Sequence, residues 1–256
     1  MSGSPPAPLM VDASRDSVIA RTLDALDRLP ADPGWVLVGG VAVFLRLGSV
    51  TRPTADGDTV ARSQRALLDQ LAGDPHVEVI SGGKLIIGTG RGPARVDVMD
   101  LADDPPPADE QRRMFALARR TALATAIDTP VVLRGADLEM VLPLATTASL
   151  VALKTVSMVR RPHGGTPGKV GSDIHDLVRL VATGARRLAG ELVAADVELS
   201  GWIRDSVQRA FDDDLRYTIQ RLRLHDRSAG AVALADEEVG ATVALADAIA
   251  DQLGDR

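Results

Sequence analysis

A short apolar segment that runs directly into two glycines places the strongest constraint on the fold of this chain. Trp35–Val38 has the composition of a buried strand, Gly39-Gly40 follows at once, and Val41–Leu47 is typical of a short helix. A glycine pair between a strand and a helix lets the backbone turn tightly, and it leaves the first N–H groups of the helix available to an anion such as a phosphate. The pattern therefore predicts an α/β region with an anion-binding turn.

Two aspartates follow on an extended segment, in the order Asp56-Gly57-Asp58. Residues i and i+2 of a strand point to the same side, so these two carboxylates lie side by side and repel each other. A divalent cation relieves that repulsion. Hard oxygen ligands suit Mg²⁺ (or Mn²⁺), which is commonly bound by one or two protein carboxylates together with substrate phosphates. The segment therefore predicts a metal site that also binds a nucleoside triphosphate (NTP).

A third carboxylate is expected on another strand. Asp97 lies in the alternating segment Arg95–Met99, where an acidic side chain between valines is costly unless it is paired or bound to a metal. Three interpretations stay open. Asp97 completes a two-metal site with the two earlier aspartates, it acts as a general base, or it only pairs with Arg95 or Arg91.

Composition narrows the class of protein. The 256 residues are 45% hydrophobic and 25% charged, which is typical of a globular chain with one large domain or two small ones. The absence of cysteine excludes thiol catalysis and thiolate zinc sites. Residues 1–11 lack signal-peptide features and no apolar run suits a membrane helix, so we expect a cytoplasmic protein without a membrane partner. The net charge of -6 and the 2% aromatic content argue against a general nucleic-acid coat protein.

The front half of the chain mixes strands and helices, whereas the back half is helical. The predicted strands are Trp35–Val38, Asp56–Val60, Val77–Ile80, Leu85–Ile87, Arg95–Met99 and Pro130–Leu133. The predicted back-half helices are Thr146–Val159, Asp173–Thr183, Ala185–Val197, Trp202–Leu224 and Val232–Leu253, with a basic loop, Arg160–Gly171, after the first. We predict an α+β chain with a mixed sheet and flanking helices: a loose tail over 1–12, an α/β domain over 13–144 and a helical domain over 145–256 that contributes to the active site.

Two sets of motifs carry a family resemblance. The front set, Gly39-Gly40-Val41-Ala42 followed by Arg52-x-Thr54-x-Asp56-x-Asp58, resembles the nucleotidyltransferase superfamily with the polymerase-beta-like fold. The back set, Leu150–Lys154 on a helix and then Ser172-Asp173-x-x-Asp176-Leu177, is similar to the AbiEii-like toxins, which include the mycobacterial MenT toxins. The resemblance covers about residues 35 to 180. It implies a nucleotidyltransferase-like fold.

The resemblance also implies roles for individual residues. Metal ligands would be Asp56 and Asp58, joined by Asp97 on the separate argument given above. Residues facing the NTP would be Gly39, Gly40, Arg52 and Thr54, and catalytic residues would be Asp56, Asp58, Lys154 and Asp176. Asp173 is either a helix N-cap or first-turn acid, or a further site residue. Two positions depart from the family pattern: Gly57 stands where an aliphatic residue is common, and Ser172 where Arg is common.

The function that the resemblance implies is transfer of a nucleoside monophosphate from an NTP to the 3′ acceptor end of tRNA, as the toxin of a type IV (AbiE-like) toxin–antitoxin pair with a cognate antitoxin. One alternative acceptor is a protein hydroxyl or an aminoglycoside-type small molecule, and another interpretation is a non-catalytic binding protein. The basic residues of the back half form either a groove for an RNA end or an ordinary solvated face; they are Arg160, Arg161, Lys169, Arg179, Arg186 and Arg187. His163 and His175 are expected on the surface or in loops.

Overall fold

The computed structural model describes residues 8–15, 17–32, 34–101, 109–160, 167–229, 231 and 233–254, with only the backbone described at 160, 167, 168 and 226–229. The chain divides into two compact units. The sheet unit consists of Met1–Val50, Thr54–Asp103 and Ala122–Ala145, and the helical unit of Thr51–Pro53, Asp104–Thr121 and Thr146–Arg256. The prediction of an α+β chain with a mixed sheet, flanking helices and a helical C-terminal half is confirmed.

The sheet unit is built on a mixed sheet of eight strands in the order β1-β7-β8-β2-β3-β6-β5-β4. The strands are β1 Leu9–Asp12, β2 Trp35–Val38, β3 Asp56–Ala61, β4 Val77–Ser81, β5 Lys84–Ile87, β6 Ala94–Asp100, β7 Ile127–Arg134 and β8 Leu138–Leu144. Its helices are α1 Val18–Leu26, α2 Gly39–Leu47 and α3 Gln64–Leu71, and α4 Glu110–Ala124 is divided between the two units at Ala122. All four residues of β2 are buried, so this strand lies in the core.

Strand register brings the acidic residues of two strands together. β3 pairs antiparallel with β2 and parallel with β6. Asp58 therefore stands opposite Val38 on one side and opposite Asp97 on the other. Val38 is the last residue before α2, so the start of that helix and the two aspartates meet at one place in the sheet.

The helical unit contains α5 Thr147–Arg160, α6 Pro167–Ala182, α7 Ala185–Ala195, α8 Val197–Gln208, a π-helical turn Arg209–Asp213, α9 Leu215–Ala229 and α10 Asp236–Gly254. α6 packs against α5, α9 and α10, and α10 also packs against α7 and α8. No helix among the described residues is long and apolar enough to cross a membrane.

Four expectations about secondary structure are corrected. Leu9–Asp12 form β1, which pairs in parallel with β7, so the loose tail is wrong for these residues; residues 1–7 lie outside the described part. β8 was not predicted at all. The basic loop ends earlier than expected because Pro167 starts α6, a position where its missing N–H costs nothing. The single helix expected over Trp202–Leu224 is interrupted by the π-helical turn.

Candidate active site

The sheet unit brings three carboxylates together. Asp56, Asp58 and Asp97 each offer an oxygen, and these oxygens all lie within 4.8 Å of one another. All three residues are partly buried. The i, i+2 spacing along β3, which the sequence predicts, and the cross-strand pairing with β6 explain this convergence. We call these residues the acidic cluster. Their oxygen donor set and spacing fit Mg²⁺ or Mn²⁺.

The turn before α2 is shaped by the acidic cluster. Gly39 has a φ of 70°, in the left-handed region that favours glycine. A Cβ at this position would lie 2.6 Å from Asp58 Cβ and would overlap the Oδ2 atom of that carboxylate. α2 begins here without a side-chain cap on its first turn, because its N-cap residue is Val38. The positive end of this helix dipole therefore lies beside the acidic cluster, where a phosphate bridged by a cation would be favoured.

Gly57, between the two aspartates, has a packing role. A Cβ added here would lie 2.7 Å from the Thr22 Cγ2 atom of α1. The strand alternation directs this position to the face opposite the aspartates. The departure from the family pattern at Gly57 therefore lets α1 approach the back of the strand that carries the acidic cluster.

A single arginine is paired with the third carboxylate. Arg95 Nε donates to Asp97 Oδ1 and Arg95 Nη2 donates to Asp97 Oδ2, both over 3.0 Å. The hydrogen bonds and charge of Asp97, and then the charges of Asp56 and Asp58, raise the pKa of the Arg95 guanidinium above its usual value. Of the interpretations open for Asp97, pairing with Arg95 is thus observed together with membership of the acidic cluster. Arg95 offsets one of the three negative charges.

Thr54 lies just before β3. Its hydroxyl donates to the Asp56 carbonyl over 3.4 Å, at the long end of a hydrogen bond. This contact places Thr54 at the entrance of the strand that carries the acidic cluster. Its predicted role on the triphosphate stays a prediction.

The helical unit contains a second, different group of charges. Arg52 Nε and Nη2 donate to the two oxygens of Asp176 over 2.8 and 2.6 Å. The Lys154 ammonium lies 2.7 Å from Asp176 Oδ2 and 3.0 Å from Asp173 Oδ1. The four side chains are between 0% and 7% exposed. We call these residues the buried quartet: two cations and two anions held together.

The electrostatics of the buried quartet keep Lys154 and Asp176 charged. Burial alone would raise the pKa of Asp176, but the Lys154 ammonium and then the hydrogen bonds from Arg52 outweigh it and hold that pKa well below its usual range. Burial alone would lower the pKa of Lys154, but the charges of Asp176 and then Asp173 outweigh it and raise that pKa. Each partner therefore stabilises the ionised form of the other.

The predicted roles of the quartet residues can be compared with these contacts. Lys154 and Asp176 were predicted as catalytic and Arg52 as facing the NTP, and in the structure Arg52 and Lys154 both pair with Asp176. Their roles toward substrate stay predictions. The interpretation of Asp173 as an N-cap or first-turn acid is wrong, because α6 begins six residues earlier, at Pro167. The Asp173 carboxylate instead pairs with Lys154.

The remaining predictions in the helical unit have mixed outcomes. Ser172, nine-tenths buried, donates to the Lys169 carbonyl within α6 over 2.8 Å. His175 is fully buried, so the expectation of a surface histidine is wrong for it. Two of the basic residues are matched by acids, since Arg179 pairs with Glu238 and Arg187 with Glu191. Arg161 and His163 lie outside the described residues, and the side chain of Arg160 is also undescribed.

Comparisons with known proteins give similarity to solved structures. No family model and no curated protein matches the chain. An antigenic nucleotidyltransferase-like protein from Paracoccidioides brasiliensis is 19% identical, with 77% of this chain and 95% of that chain covered and a TM-score of 0.43. The solution structure of the antibiotic-resistance factor ANT(2'')-Ia is 19% identical, with 69% and 88% covered and a TM-score of 0.36. Its crystal structure with adenylyl-2''-tobramycin is 18% identical, with 71% and 96% covered and a TM-score of 0.38.

Proposed function

We propose that this protein is a metal-dependent nucleotidyltransferase that transfers a nucleoside monophosphate from an NTP to a hydroxyl group. The observation that carries the proposal is the acidic cluster beside the start of α2, with its three carboxylate oxygens within 4.8 Å of one another. Like charges held this close favour a divalent cation. The family resemblance of the same residues supports the proposal.

In this proposal, the acidic cluster and the first turn of α2 have separate roles in nucleotidyl transfer. Asp56, Asp58 and Asp97 would hold Mg²⁺ or Mn²⁺, which when bound polarises the α-phosphate and neutralises charge on the departing pyrophosphate. The first turn of α2, at Gly39 and Gly40, binds phosphate oxygens through backbone N–H groups. The acceptor oxygen bonds to the α-phosphorus as the bond to the β-phosphate oxygen breaks. The hydroxyl proton passes to a carboxylate, for which Asp97 is the candidate.

For the acceptor, we propose the 3′ end of tRNA, with the protein acting as the toxin of a type IV (AbiE-like) pair and a cognate antitoxin as its partner. The resemblance of Leu150–Lys154 and of Asp173-x-x-Asp176 to the AbiEii-like toxins supports this proposal. Lys154 and Asp176 would then act on the substrate, as the resemblance implies.

A second acceptor, a cationic small molecule of the aminoglycoside type, is favoured by the charges of the helical unit. Arg179 and Arg187 are each paired with a glutamate, which weakens a basic groove for RNA. The chain as a whole carries a net charge of -6, which attracts a cation. A protein hydroxyl is the remaining alternative acceptor.

One labelling experiment tests these proposals together. The full chain is incubated with Mg²⁺ or Mn²⁺ and each α-³²P-labelled NTP, in parallel with total tRNA, with tobramycin and with a cell protein extract. We expect labelled tRNA that survives protease and is lost on treatment with RNase. Label on the drug or on protein, with tRNA untouched, overturns the tRNA proposal and keeps the nucleotidyltransferase. No label on any acceptor with any NTP, by a chain that is folded by circular dichroism, contradicts the proposed activity itself.

A further inference from the structure

The pairing of Arg95 with Asp97 has a consequence for metal binding, given the proposed function. Both oxygens of Asp97 accept a hydrogen bond from the guanidinium. A cation that binds the acidic cluster needs at least one of the same two oxygens. Arg95 and a bound metal ion would therefore both interact with the Asp97 carboxylate.

The position of Arg95 also fixes it near the other two aspartates. Arg95 stands directly opposite Asp56 in the parallel pairing of β3 with β6. It lies two residues before Asp97 on β6, so both side chains project from the same face of the strand. All three carboxylates of the acidic cluster attract the guanidinium. Arg95 is thus the counter-ion that the sheet itself supplies to the cluster.

The exposure of the pair allows it to open. The Arg95 side chain is 43% exposed and the Asp97 side chain 23% exposed. An exposed ion pair is weak because water competes for both partners. The buried Arg52–Asp176 pair, with side chains 7% and 0% exposed, has the opposite character. Arg95 can leave Asp97 for water at little cost, whereas Arg52 cannot leave Asp176 in this way.

We propose that Arg95 is a built-in competitor of the metal ion: it holds the acidic cluster together when no metal is bound, and it is displaced from Asp97 when a divalent cation binds. A guanidinium and a divalent cation on the same carboxylate repel each other, so binding of the cation weakens the hold of Arg95 on Asp97. Arg95 is accordingly a positioning residue. It sets the metal affinity of the cluster without itself contacting the reacting atoms.

The test measures metal binding directly and needs no enzyme turnover. Mn²⁺ affinity is determined by electron paramagnetic resonance of free Mn²⁺ for the full chain and for Arg95→Gln, Arg95→Lys and Arg65→Gln. Arg65 is the matched control because it pairs with Asp69 on α3 and its side chain is 92% exposed. We expect Arg95→Gln to bind Mn²⁺ about three- to tenfold more tightly than wild type, since it removes a nearby positive charge. Arg65→Gln changes affinity by less than about twofold.

A second readout separates this role from simple damage to the fold. In EDTA, Arg95→Gln melts below wild type because the acidic cluster loses the positive charge of Arg95, and saturating Mn²⁺ raises its melting temperature more than it raises that of wild type. Arg95→Lys, which keeps the charge and loses the fork, lies between the two in both measurements. An unchanged or weaker Mn²⁺ affinity in both Arg95 variants overturns the inference while the proposed function stands. If neither wild type nor Arg95→Gln binds Mn²⁺, both are overturned.

Discussion

The acidic cluster and the buried quartet are built from the same kinds of charged side chain but differ in burial and in how the charges are paired. The cluster has three carboxylates and Arg95, half-exposed, on one of them. The quartet has two carboxylates and two cations that satisfy one another out of water. A partly exposed group of carboxylates is open to a ligand, whereas a buried group of paired charges specifies packing. Burial and pairing, more than the Asp-x-Asp or Asp-x-x-Asp spacing, distinguish the two groups.

The largest effect on activity is expected from a substitution within the acidic cluster. Asp58→Asn removes a proposed metal ligand at nearly constant shape, and we expect nucleotidyl transfer to fall about 1,000-fold or more, which corresponds to roughly 4 kcal/mol of lost transition-state stabilisation. The free energy of unfolding stays the same or increases because a like-charge repulsion is removed. Initial rates and urea denaturation measure the two quantities. Asp69→Asn, an exposed carboxylate on α3, is the matched control. Retained activity in Asp58→Asn would contradict the assignment.

The next largest effect, on stability, is expected from a substitution within the buried quartet. Lys154→Met leaves Asp173 and Asp176 buried with less compensation, so we expect the free energy of unfolding to fall by about 3 kcal/mol. Urea denaturation followed by circular dichroism at 222 nm measures it. The control Arg187→Gln breaks an exposed pair with Glu191 and costs less than about 0.5 kcal/mol.

Activity measurements on Lys154→Met distinguish a packing role of this lysine from a role on substrate. If Lys154→Met keeps its stability and loses nucleotidyl transfer, the lysine acts on substrate, as the family resemblance implies, and the description of the quartet as a packing group is wrong. If stability falls and the remaining folded protein transfers nucleotide at the wild-type rate, the resemblance does not extend to this residue.

The third effect concerns the turn against the cluster. Gly39→Ala adds a Cβ that collides with Asp58 and also strains a positive φ, so we expect a loss of about 2 kcal/mol of stability together with weaker Mn²⁺ binding. Gly73→Ala is the control: it has a φ of 94° with nothing within 4 Å of its added Cβ, so it measures strain alone, about 1 kcal/mol. Equal losses in the two variants would show that Asp58 moves aside without cost.

A smaller effect comes from the other face of the same strand. Gly57→Ala places a Cβ 2.7 Å from Thr22 Cγ2, and we expect overpacking to cost about 1–2 kcal/mol. Thr22→Ser removes the colliding methyl group. Adding Gly57→Ala to Thr22→Ser should therefore cost much less stability than adding it to wild type. Thermal unfolding of the four proteins measures the coupling. Additive effects would mean that Gly57 is not required by the packing of α1.

The sequence predicts that Asp56 and Asp58 lie side by side because the i, i+2 geometry of a strand is local. The i, i+2 spacing and an alternating strand place Asp56, Asp58 and Asp97 in register once β3 and β6 pair. β8 was missed although Met140, Leu142 and Leu144 alternate inward, since Pro143 and the outward Val141 obscure the strand pattern. The quartet could not be predicted as an ion-pair group, because Arg52 meets Asp176 across 124 residues of chain and no local period relates them.

The smallest expected effect is the pH dependence of the quartet. The folded-state pKa of Asp176 lies well below its unfolded value of 3.8, so its stabilising contribution is complete above that value and is lost as pH falls. At pH 3 the loss from this one group is about 1 kcal/mol. The raised pKa of Lys154 gives a contribution that is complete below 10.5 and declines as pH rises further. Denaturation curves between pH 3 and 7, compared with Asp176→Asn, measure the acid limb. That variant should lose less stability on acidification, because it has no proton to bind at residue 176. Parallel acid limbs in the two proteins would show that Asp176 is not the group that senses acid.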